Sequence, residues 1–192
     1  MTVRPKHRVP QEATDGDREE DESVPVVRAV EPFERFYARE FRSVVGLAYA
    51  LSGSQSGAED IAQEAFIAAH KKWDSVGSYE KPEAWVRRVV SNLSVSRFRR
   101  RASELKAITR LSGLRSEHAS IGELPAEADH FWSAVRRLPK RQAQAIALHY
   151  LEDYSVKDIA DILECSPNTV KVHLHKARRT LADRLDVDGG DA

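Results

Sequence analysis

The amino-acid sequence predicts an all-α protein made of two small helical domains joined by a flexible linker. Apolar residues recur at helical spacing in two blocks, residues 31–106 and 129–185. Between these blocks, residues 107–128 are rich in Ser, Gly and Glu, a composition typical of a linker. The sequence contains no alternating β-branched runs bounded by hairpin turns. A chain of 192 residues has room for two such domains, each with a modest core.

Charge is segregated along the chain although the formal net charge is zero. Residues 12–22 contain seven acids and one Arg, whereas residues 97–101 contain four Arg and no acid. Residues 1–30 have too little apolar content to order themselves, so we expect a disordered acidic N-terminal extension. We also expect residues 186–192 to be disordered. The basic residues fall within predicted helices, where they form a surface suited to an anion.

Composition excludes several classes of protein. No apolar run approaches the length of a membrane span and the N-terminus has no hydrophobic signal segment, so the sequence predicts a cytoplasmic protein without membrane insertion. Cys165 is the only cysteine, which excludes an internal disulfide and a multi-cysteine metal site. We predict no metal, no cofactor and no enzymatic activity, because no set of convergent ligands or catalytic groups is visible.

Residues 58–73 predict a strong helix in the first domain. Its apolar stripe consists of Ile61, Ala65, Ala69 and Trp73. The acids Glu59, Asp60 and Glu64 lie off this stripe. Since they lack a His or a second carboxylate pair at ligand spacing, they indicate a solvated or protein-facing acidic surface and not a metal site.

The next helix begins at Pro82 and Glu83, after a predicted loop at residues 76–82, and ends in a run of Arg. It interleaves cations, aromatic rings and an amide, namely Trp85, Arg87, Arg88, Asn92, Arg97 and Phe98. Cations suit a phosphate backbone, rings suit the faces of unstacked bases and amides suit base edges. The pattern favours contact with single-stranded nucleic acid. The alternative is that the aromatic residues belong to the core and the Arg face is only solvated.

The second domain contains a predicted helix-turn-helix. Its first helix lies in "YSVKDIADIL", and only a few residues separate it from the second helix, which Ser166 caps and Pro167 opens. The second helix buries a predicted stripe of Val170, Leu174, Ala177 and Leu181. Its opposite face carries Asn168, Lys171, His175, Arg178 and Arg179. Two helices joined this tightly cross steeply, so we expect the second helix to be free to enter a DNA major groove.

The turn of this unit has one irregularity. Glu164 stands where many helix-turn-helix units have Gly, because that position often adopts a left-handed conformation. Cys165 beside it is expected to be a small buried apolar residue at a tight turn, with a redox-sensing thiol as the less favoured alternative.

The joint order of these motifs resembles the extracytoplasmic-function class of bacterial RNA polymerase sigma factors. The resemblance is carried by "AEDIAQEAF", "WVRRVVSNL" and "LPKRQAQAIALHYLEDYSVKDIADILECSPNTVKVHLHKARRTL", and it covers about Phe33 to Leu185. It implies that residues 31–106 are sigma region 2 and residues 129–185 are sigma region 4. It also implies core RNA polymerase and promoter DNA as partners, the latter both as duplex and as melted non-template strand, and a nucleoid-associated location. Members of this class often work with an anti-sigma factor.

The resemblance assigns site residues in three groups. The polymerase-binding group is Asp60, Gln63, Glu64 and Phe66. The minus-ten group, which captures the melted strand, is Val76, Ser78, Tyr79, Trp85, Arg87, Arg88, Asn92, Arg97, Arg99 and Arg100. The minus-thirty-five group, which contacts duplex DNA, is Ser166, Asn168, Thr169, Lys171, Val172, His175, Arg178 and Arg179.

A second resemblance keeps the same helix but changes its role. "SPNTVKVHLHKA" is similar to the recognition helix of LuxR-type transcriptional activators, which bind DNA without being polymerase subunits. Those proteins usually place an α/β receiver or a ligand-binding domain before this helix. The preceding block here is helical, is too short for either and ends in Arg, which favours the sigma-factor interpretation.

Overall fold

The computed structural model describes residues 30–112 and 126–188, and within these ranges every regular element is a helix. The helices are α1 (Phe33–Ser52), α2 (Gln55–His70), α3 (Trp73–Val76), α4 (Pro82–Ser112), α5 (Ala126–Arg136), α6 (Lys140–Tyr150), α7 (Val156–Leu163) and α8 (Pro167–Asp188). The predicted all-α class is confirmed. We call α1–α4 the first domain and α5–α8 the second domain.

The first domain packs α1, α2 and α4 around an apolar core. Helix α1 ends at Gly53, whose φ of 68° lies in the left-handed region and whose N–H donates to the carbonyl of Tyr49. Ser54 then caps α2, because its Oγ accepts a hydrogen bond from the N–H of Gly57 at 3.3 Å. These two adjacent caps explain how α1 and α2 turn back on each other within two residues of loop.

The predicted helix-turn-helix is present as α7 and α8. Ser166 Oγ accepts from the N–H of Thr169 at 3.1 Å, so the predicted cap is formed, and α8 begins at Pro167. All four residues of the predicted apolar stripe on α8 are buried. Glu164 adopts the left-handed conformation expected at the turn, with φ 53° and ψ 54°, and Cys165 is half-buried beside it.

The helices extend further than the sequence indicates. Helix α4 continues past residue 106 to Ser112, and α5 begins at Ala126, inside the predicted linker. Residues with high helix propensity, such as Ala107 and Ala126, continue the pattern at both places. Helix α8 likewise runs past residue 185 to Asp188. The predicted disorder of residues 1–29 and 189–192, and the linker segment 113–125, lie outside the described residues.

The two domains pack against each other. Helices α1 and α4 of the first domain contact α5, α6 and α7 of the second. The buried apolar residues form one continuous cluster from Phe36 in α1 to Leu181 in α8. The sequence predicts both domains but contains no pattern that predicts this contact, which positions several of the candidate site residues.

Candidate nucleic-acid and polymerase interfaces

The outer face of α8 is presented to solvent. All five polar residues predicted on this face are exposed, namely Asn168, Lys171, His175, Arg178 and Arg179. Val172 is also exposed, whereas Thr169 is half-buried and its hydroxyl contacts that of Ser166 at 2.8 Å. The structure therefore brings the minus-thirty-five group together on one side of α8 and at its N-cap, where three cations lie among neutral side chains.

One cation on this face is held in place by an aromatic ring. Arg178 Nε donates to the hydroxyl of Tyr150 at 2.8 Å, and its guanidinium carbon lies 5.6 Å from the centre of that ring. Tyr150, at the end of α6, was not among the sequence candidates. A partner that fixes the guanidinium reduces the side-chain entropy lost when the face meets an anion.

The minus-ten group is divided among three environments. Ser78, Tyr79, Arg97, Arg99 and Arg100 are exposed, while Trp85, Arg88 and Asn92 are half-buried. Val76 and Arg87 are buried. Val76 lies in the short helix α3 and not in the loop that the sequence predicts there. The side chains of these two residues offer no surface to a partner in this arrangement.

Arg87 is the centre of a buried ion cluster. Its Nη1 donates to Glu40 at 2.8 Å, and its Nε donates to Glu152 of the second domain at 2.7 Å. Its guanidinium carbon lies 5.4 Å from the centre of the Tyr154 ring. Burial lowers the pKa of Arg87, but the charge of Glu152 and the hydrogen bonds to both carboxylates outweigh burial, so the pKa is raised. Arg87 is therefore charged and fully paired.

The same cluster affects its other members. Burial raises the pKa of Glu40, but hydrogen bonds from Arg39 and Arg87 outweigh this effect and leave the pKa lowered. Burial raises the pKa of the Tyr154 phenol to about 12. Ser43 Oγ donates to Glu152 at 2.7 Å, so Glu152 is bonded to two side chains of the first domain.

The residues that the resemblance assigns to polymerase binding differ in exposure on α2. Asp60, Gln63 and Glu64 are exposed, and Glu64 pairs with Arg97 of α4. Phe66 is 2% exposed and packs edge-on against Tyr37 at a ring separation of 4.9 Å. The apolar residue that reaches solvent beside the acids is Ile67, at 55% exposure. The face therefore combines two carboxylates and an amide with one exposed aliphatic side chain.

Sequence reasoning missed the acidic residues of the second domain that meet the first. Glu152, Asp158 and Glu164 contact Arg87, Lys81 and Arg88 respectively. A contact between residues that are 65 to 77 positions apart leaves no periodic signal in a single sequence. Only the tertiary arrangement identifies these pairs.

Both domains match known families. Residues 36–104 match Sigma-70 region 2, and residues 129–181 match Sigma-70, region 4. Together with the helix-turn-helix and the basic helix α4, these matches define a sigma-70-type transcription initiation factor. An activator of the LuxR type is not favoured, because both domains carry the sigma regions.

Individual relatives specify the class. The chain is 30% identical over 151 residues to the ECF RNA polymerase sigma factor SigW of Bacillus subtilis, covering 72% of this chain and 81% of that protein. It is also 30% identical over 151 residues to the ECF RNA polymerase sigma factor EcfG of Rhodopseudomonas palustris, covering 78% and 82%. The chain belongs to the extracytoplasmic-function sigma factors, which direct core RNA polymerase to promoters.

Solved structures share this fold. The sigma factor RpoE of Bartonella quintana, in complex with the anti-sigma factor NepR, is 29% identical with a TM-score of 0.59, covering 81% of this chain and 98% of that one. CnrH, in complex with the cytosolic domain of CnrY, shares the fold at a TM-score of 0.61 and 23% identity.

None of the helices in residues 30–112 and 126–188 has the length and apolar character needed to cross a membrane.

Proposed function

We propose that this sigma factor divides promoter recognition between its two basic surfaces. Helix α8 contacts the minus-thirty-five duplex, and α4 with the preceding loop captures the melted minus-ten strand. The observation that carries the proposal is the separation of residue types on α8, where the predicted polar face is exposed and the predicted apolar stripe is buried. A duplex contact fixes position, while the capture of unstacked bases stabilises the melted state.

In the duplex contact, the exposed cations of α8 bind phosphates and its small polar residues approach base edges. Lys171, Arg178 and Arg179 supply the charge. Asn168 and His175 supply hydrogen-bonding groups on the same face, and Ser166 and Thr169 stand at the N-terminus of the helix, where backbone N–H groups favour a phosphate. Val172 is the apolar position, suited to the methyl group of thymine.

In the strand contact, the exposed and half-buried members of the minus-ten group bind the DNA without a rearrangement of the protein. Tyr79 and Trp85 provide rings for base stacking, Asn92 provides an amide for a base edge, and Arg97, Arg99 and Arg100 follow the backbone. Arg88 and Ser78 add polar contacts near the loop. Val76 and Arg87 remain in the proposed group, and both need a rearrangement before DNA can reach them.

The exposed acids of α2 are proposed to dock on core polymerase. Asp60, Gln63 and Glu64 with Ile67 form a surface of mixed charge and apolar character, which suits a protein partner. Phe66 supports this surface from beneath.

Because the chain acts with polymerase on the chromosome, we place it in the cytoplasm at the nucleoid, and we propose that it has no enzymatic activity and needs no cofactor of its own. The similarity to the sigma factor RpoE, whose structure was solved in complex with the anti-sigma factor NepR, supports an anti-sigma factor as a further partner.

In vitro transcription tests the function directly. The purified chain, mixed with core RNA polymerase and genomic DNA fragments, should produce transcripts with discrete start sites, and core enzyme alone should produce none from these positions. The chain should also co-purify with core enzyme. An activator that is not a polymerase subunit would give neither result, so absence of both would overturn the proposal.

The polymerase-binding face has its own test. Reversing the charge at Asp60 and Glu64 to Lys should abolish co-purification with core enzyme while circular dichroism shows unchanged helix content. The matched control reverses Glu59 and Asp74, two exposed acids of the same domain outside the proposed group. Normal holoenzyme formation by the Asp60 and Glu64 variant would remove α2 from the interface.

A further inference from the structure

We propose that Tyr150 and Arg178 together form a clamp for one phosphate of the minus-thirty-five duplex, which makes Tyr150 a further DNA-binding residue of this chain. The inference rests on the proposed function, because it takes α8 as the helix that contacts this duplex. Tyr150 is the last residue of α6 and lies outside the helix-turn-helix formed by α7 and α8. Neither the sequence pattern nor the family resemblance assigns it a role.

The guanidinium of Arg178 is oriented without being neutralised. Its Nε donates to the Tyr150 hydroxyl at 2.8 Å, and its central carbon lies 5.6 Å from the centre of the Tyr150 ring. Within residues 30–112 and 126–188, no carboxylate forms an ion pair with Arg178. A guanidinium has five N–H groups, so four remain for a ligand. A fixed cation with free donors in a planar fork suits a phosphate.

Other arginines of the described chain show the contrast. Arg87, Arg88 and Arg97 each pair with a carboxylate, which offsets the positive charge of the guanidinium. Tyr150 instead fixes its arginine through a neutral hydroxyl and a ring face, and it leaves the whole charge available. A side chain that is already oriented loses less conformational entropy when it binds. We therefore expect Arg178 to hold a phosphate more tightly than a freely solvated arginine would.

Tyr150 is itself held in place by the end of α6 and the loop that follows. The His149 ring packs edge-on against it at a ring separation of 4.9 Å, and His149 Nδ1 lies 3.1 Å from the carbonyl oxygen of Tyr154. A carbonyl only accepts, so this ring nitrogen carries the hydrogen and donates it. The N–H of Tyr154 donates in turn to the carbonyl of Leu148 at 3.0 Å. The clamp is therefore anchored within the second domain before DNA binds.

The Tyr150 hydroxyl also contributes a donor of its own. Its oxygen accepts the bond from Arg178, so its hydrogen is available for donation. The Tyr150 side chain is accessible, at 55% exposure. A phosphate bound to the free edge of the guanidinium accepts this hydrogen as well. The clamp thus combines a charged donor and a neutral donor from two different helices.

The position of Arg178 along α8 favours a phosphate over a base. Recognition helices contact base edges with their N-terminal residues, which here include Asn168. Arg178 lies about 15 Å further along the helix axis, at a rise of about 1.5 Å per residue. The major groove is about 12 Å wide. At Arg178 the helix has therefore passed the base edges and faces the sugar–phosphate backbone.

Binding to the minus-thirty-five duplex of a promoter mapped by transcription tests the clamp. Tyr150→Phe keeps the ring and removes the hydroxyl, so the full chain with this change should bind about tenfold more weakly than wild type. Its log–log salt slope should equal that of wild type because no charge is lost, whereas Arg178→Ala should reduce the slope by roughly 0.9. The matched control, Tyr49→Phe, removes a hydroxyl from the first domain and should bind as wild type.

A double-mutant cycle separates the clamp from a local structural effect. In the Arg178→Ala background, Tyr150→Phe should change the affinity less than twofold, because the phosphate is no longer held beside the hydroxyl. An equal loss in both backgrounds, or no loss in the wild-type background, would overturn the proposal. Circular dichroism and urea unfolding verify that each variant is folded at the temperature of the binding measurement.

Chemically modified duplexes identify the group that Arg178 contacts. A neutral methylphosphonate placed at single positions should, at one position, weaken wild type about tenfold and leave Arg178→Ala unaffected. Replacement of single guanines by 7-deazaguanine, which lacks the N7 acceptor, should not give this pattern. If only the modified guanine gives it, Arg178 reads a base and the phosphate clamp is wrong. A wild type that binds no promoter duplex would overturn the proposed contact of α8 together with the clamp, whereas equal binding by wild type and Tyr150→Phe overturns the clamp alone.

Discussion

Glu164 shows how a single residue can combine a local cost with a distant contact. Its backbone is left-handed, a conformation that costs a residue with a Cβ roughly 1 kcal/mol. Its carboxylate nevertheless reaches Arg88 in the first domain. The sequence predicts the strained turn, because the position of Glu164 between two helices is visible in it. The ion pair is not predictable, because it depends on the docking of the domains.

Two substitutions separate the strain from the ion pair. Glu164→Ala removes the carboxylate and keeps the Cβ, whereas Glu164→Gly removes both. We expect the free energy of unfolding, measured in urea, to be roughly 1 kcal/mol higher for the Gly variant than for the Ala variant, since only Gly relieves the backbone strain. Equal stability of the two variants would show that the turn carries no such strain.

Arg87 is a residue for which the structure adds a role that the sequence does not indicate. Replacement by Met should lower the free energy of unfolding by about 3 kcal/mol, because Glu40 and Glu152 would lose the cation that pairs them. Adding Glu152→Gln to this variant should restore part of the loss, since one uncompensated carboxylate is removed. Urea unfolding measures both effects.

The control for Arg87 is Arg99→Met, which removes an exposed Arg from the same helix. It should change stability by no more than about 0.5 kcal/mol, as is typical of surface positions. If Arg87→Met matched this control, Arg87 would have no structural role and would be free to serve DNA alone.

At the scale of elements, the predictions succeeded where one helix determines its own pattern. The stripe of α8 is buried as predicted, because a helix with four apolar residues at spacings of three and four has one obvious side to bury. The pattern of α4 was less informative. Some of its cations face the solvent, others contact the first domain and others the second. Only the packing of the helices determines the environment of each cation.

The exposed face of α8 leads to a prediction about salt. Replacing Lys171 and Arg178 by Ala should weaken binding of the full chain to its minus-thirty-five duplex. Each lost phosphate contact should reduce the log–log slope of affinity against salt concentration by roughly 0.9. The charge-matched control replaces Lys71 and Lys72, two exposed lysines of the first domain. A slope that stayed the same in the α8 variant would remove this face from the DNA.

For the whole molecule, two helical domains were predictable because two apolar blocks are separated by a polar segment. Their contact was not, because its acids are scattered over the segment between α6 and α7, over α7 and over the following turn, and no pattern in the sequence marks them. The contact also involves Arg136 of α5, which donates to the carbonyl of Ala50 at 3.2 Å and lies against Gly53. A Cβ at Gly53 would lie 2.8 Å from Arg136 Nε, so this glycine serves the interface as well as the helix end.

The interface should weaken in acid. A hydrogen bond from Lys81 of the first domain lowers the pKa of Asp158 in α7, so this ion pair crosses the interface. A carboxylate with a lowered pKa stabilises the folded form above its unfolded pKa, so this contribution is lost as pH falls below about 4. Small-angle scattering should show a larger radius of gyration there while circular dichroism still reports helix. A constant radius until the helices unfold would contradict this expectation.

Because both halves of the interface belong to one chain, dilution does not separate them. Each domain experiences the other at an effective concentration set by the connecting segment, which for short flexible connections is in the millimolar range. The apparent affinity of a ligand that binds only the separated form is its intrinsic affinity multiplied by the fraction of molecules that are separated. If that fraction were about one in a hundred, the apparent dissociation constant would rise about a hundredfold. Abundance of this protein therefore cannot by itself release the first domain, whereas a partner that engages both domains at once can.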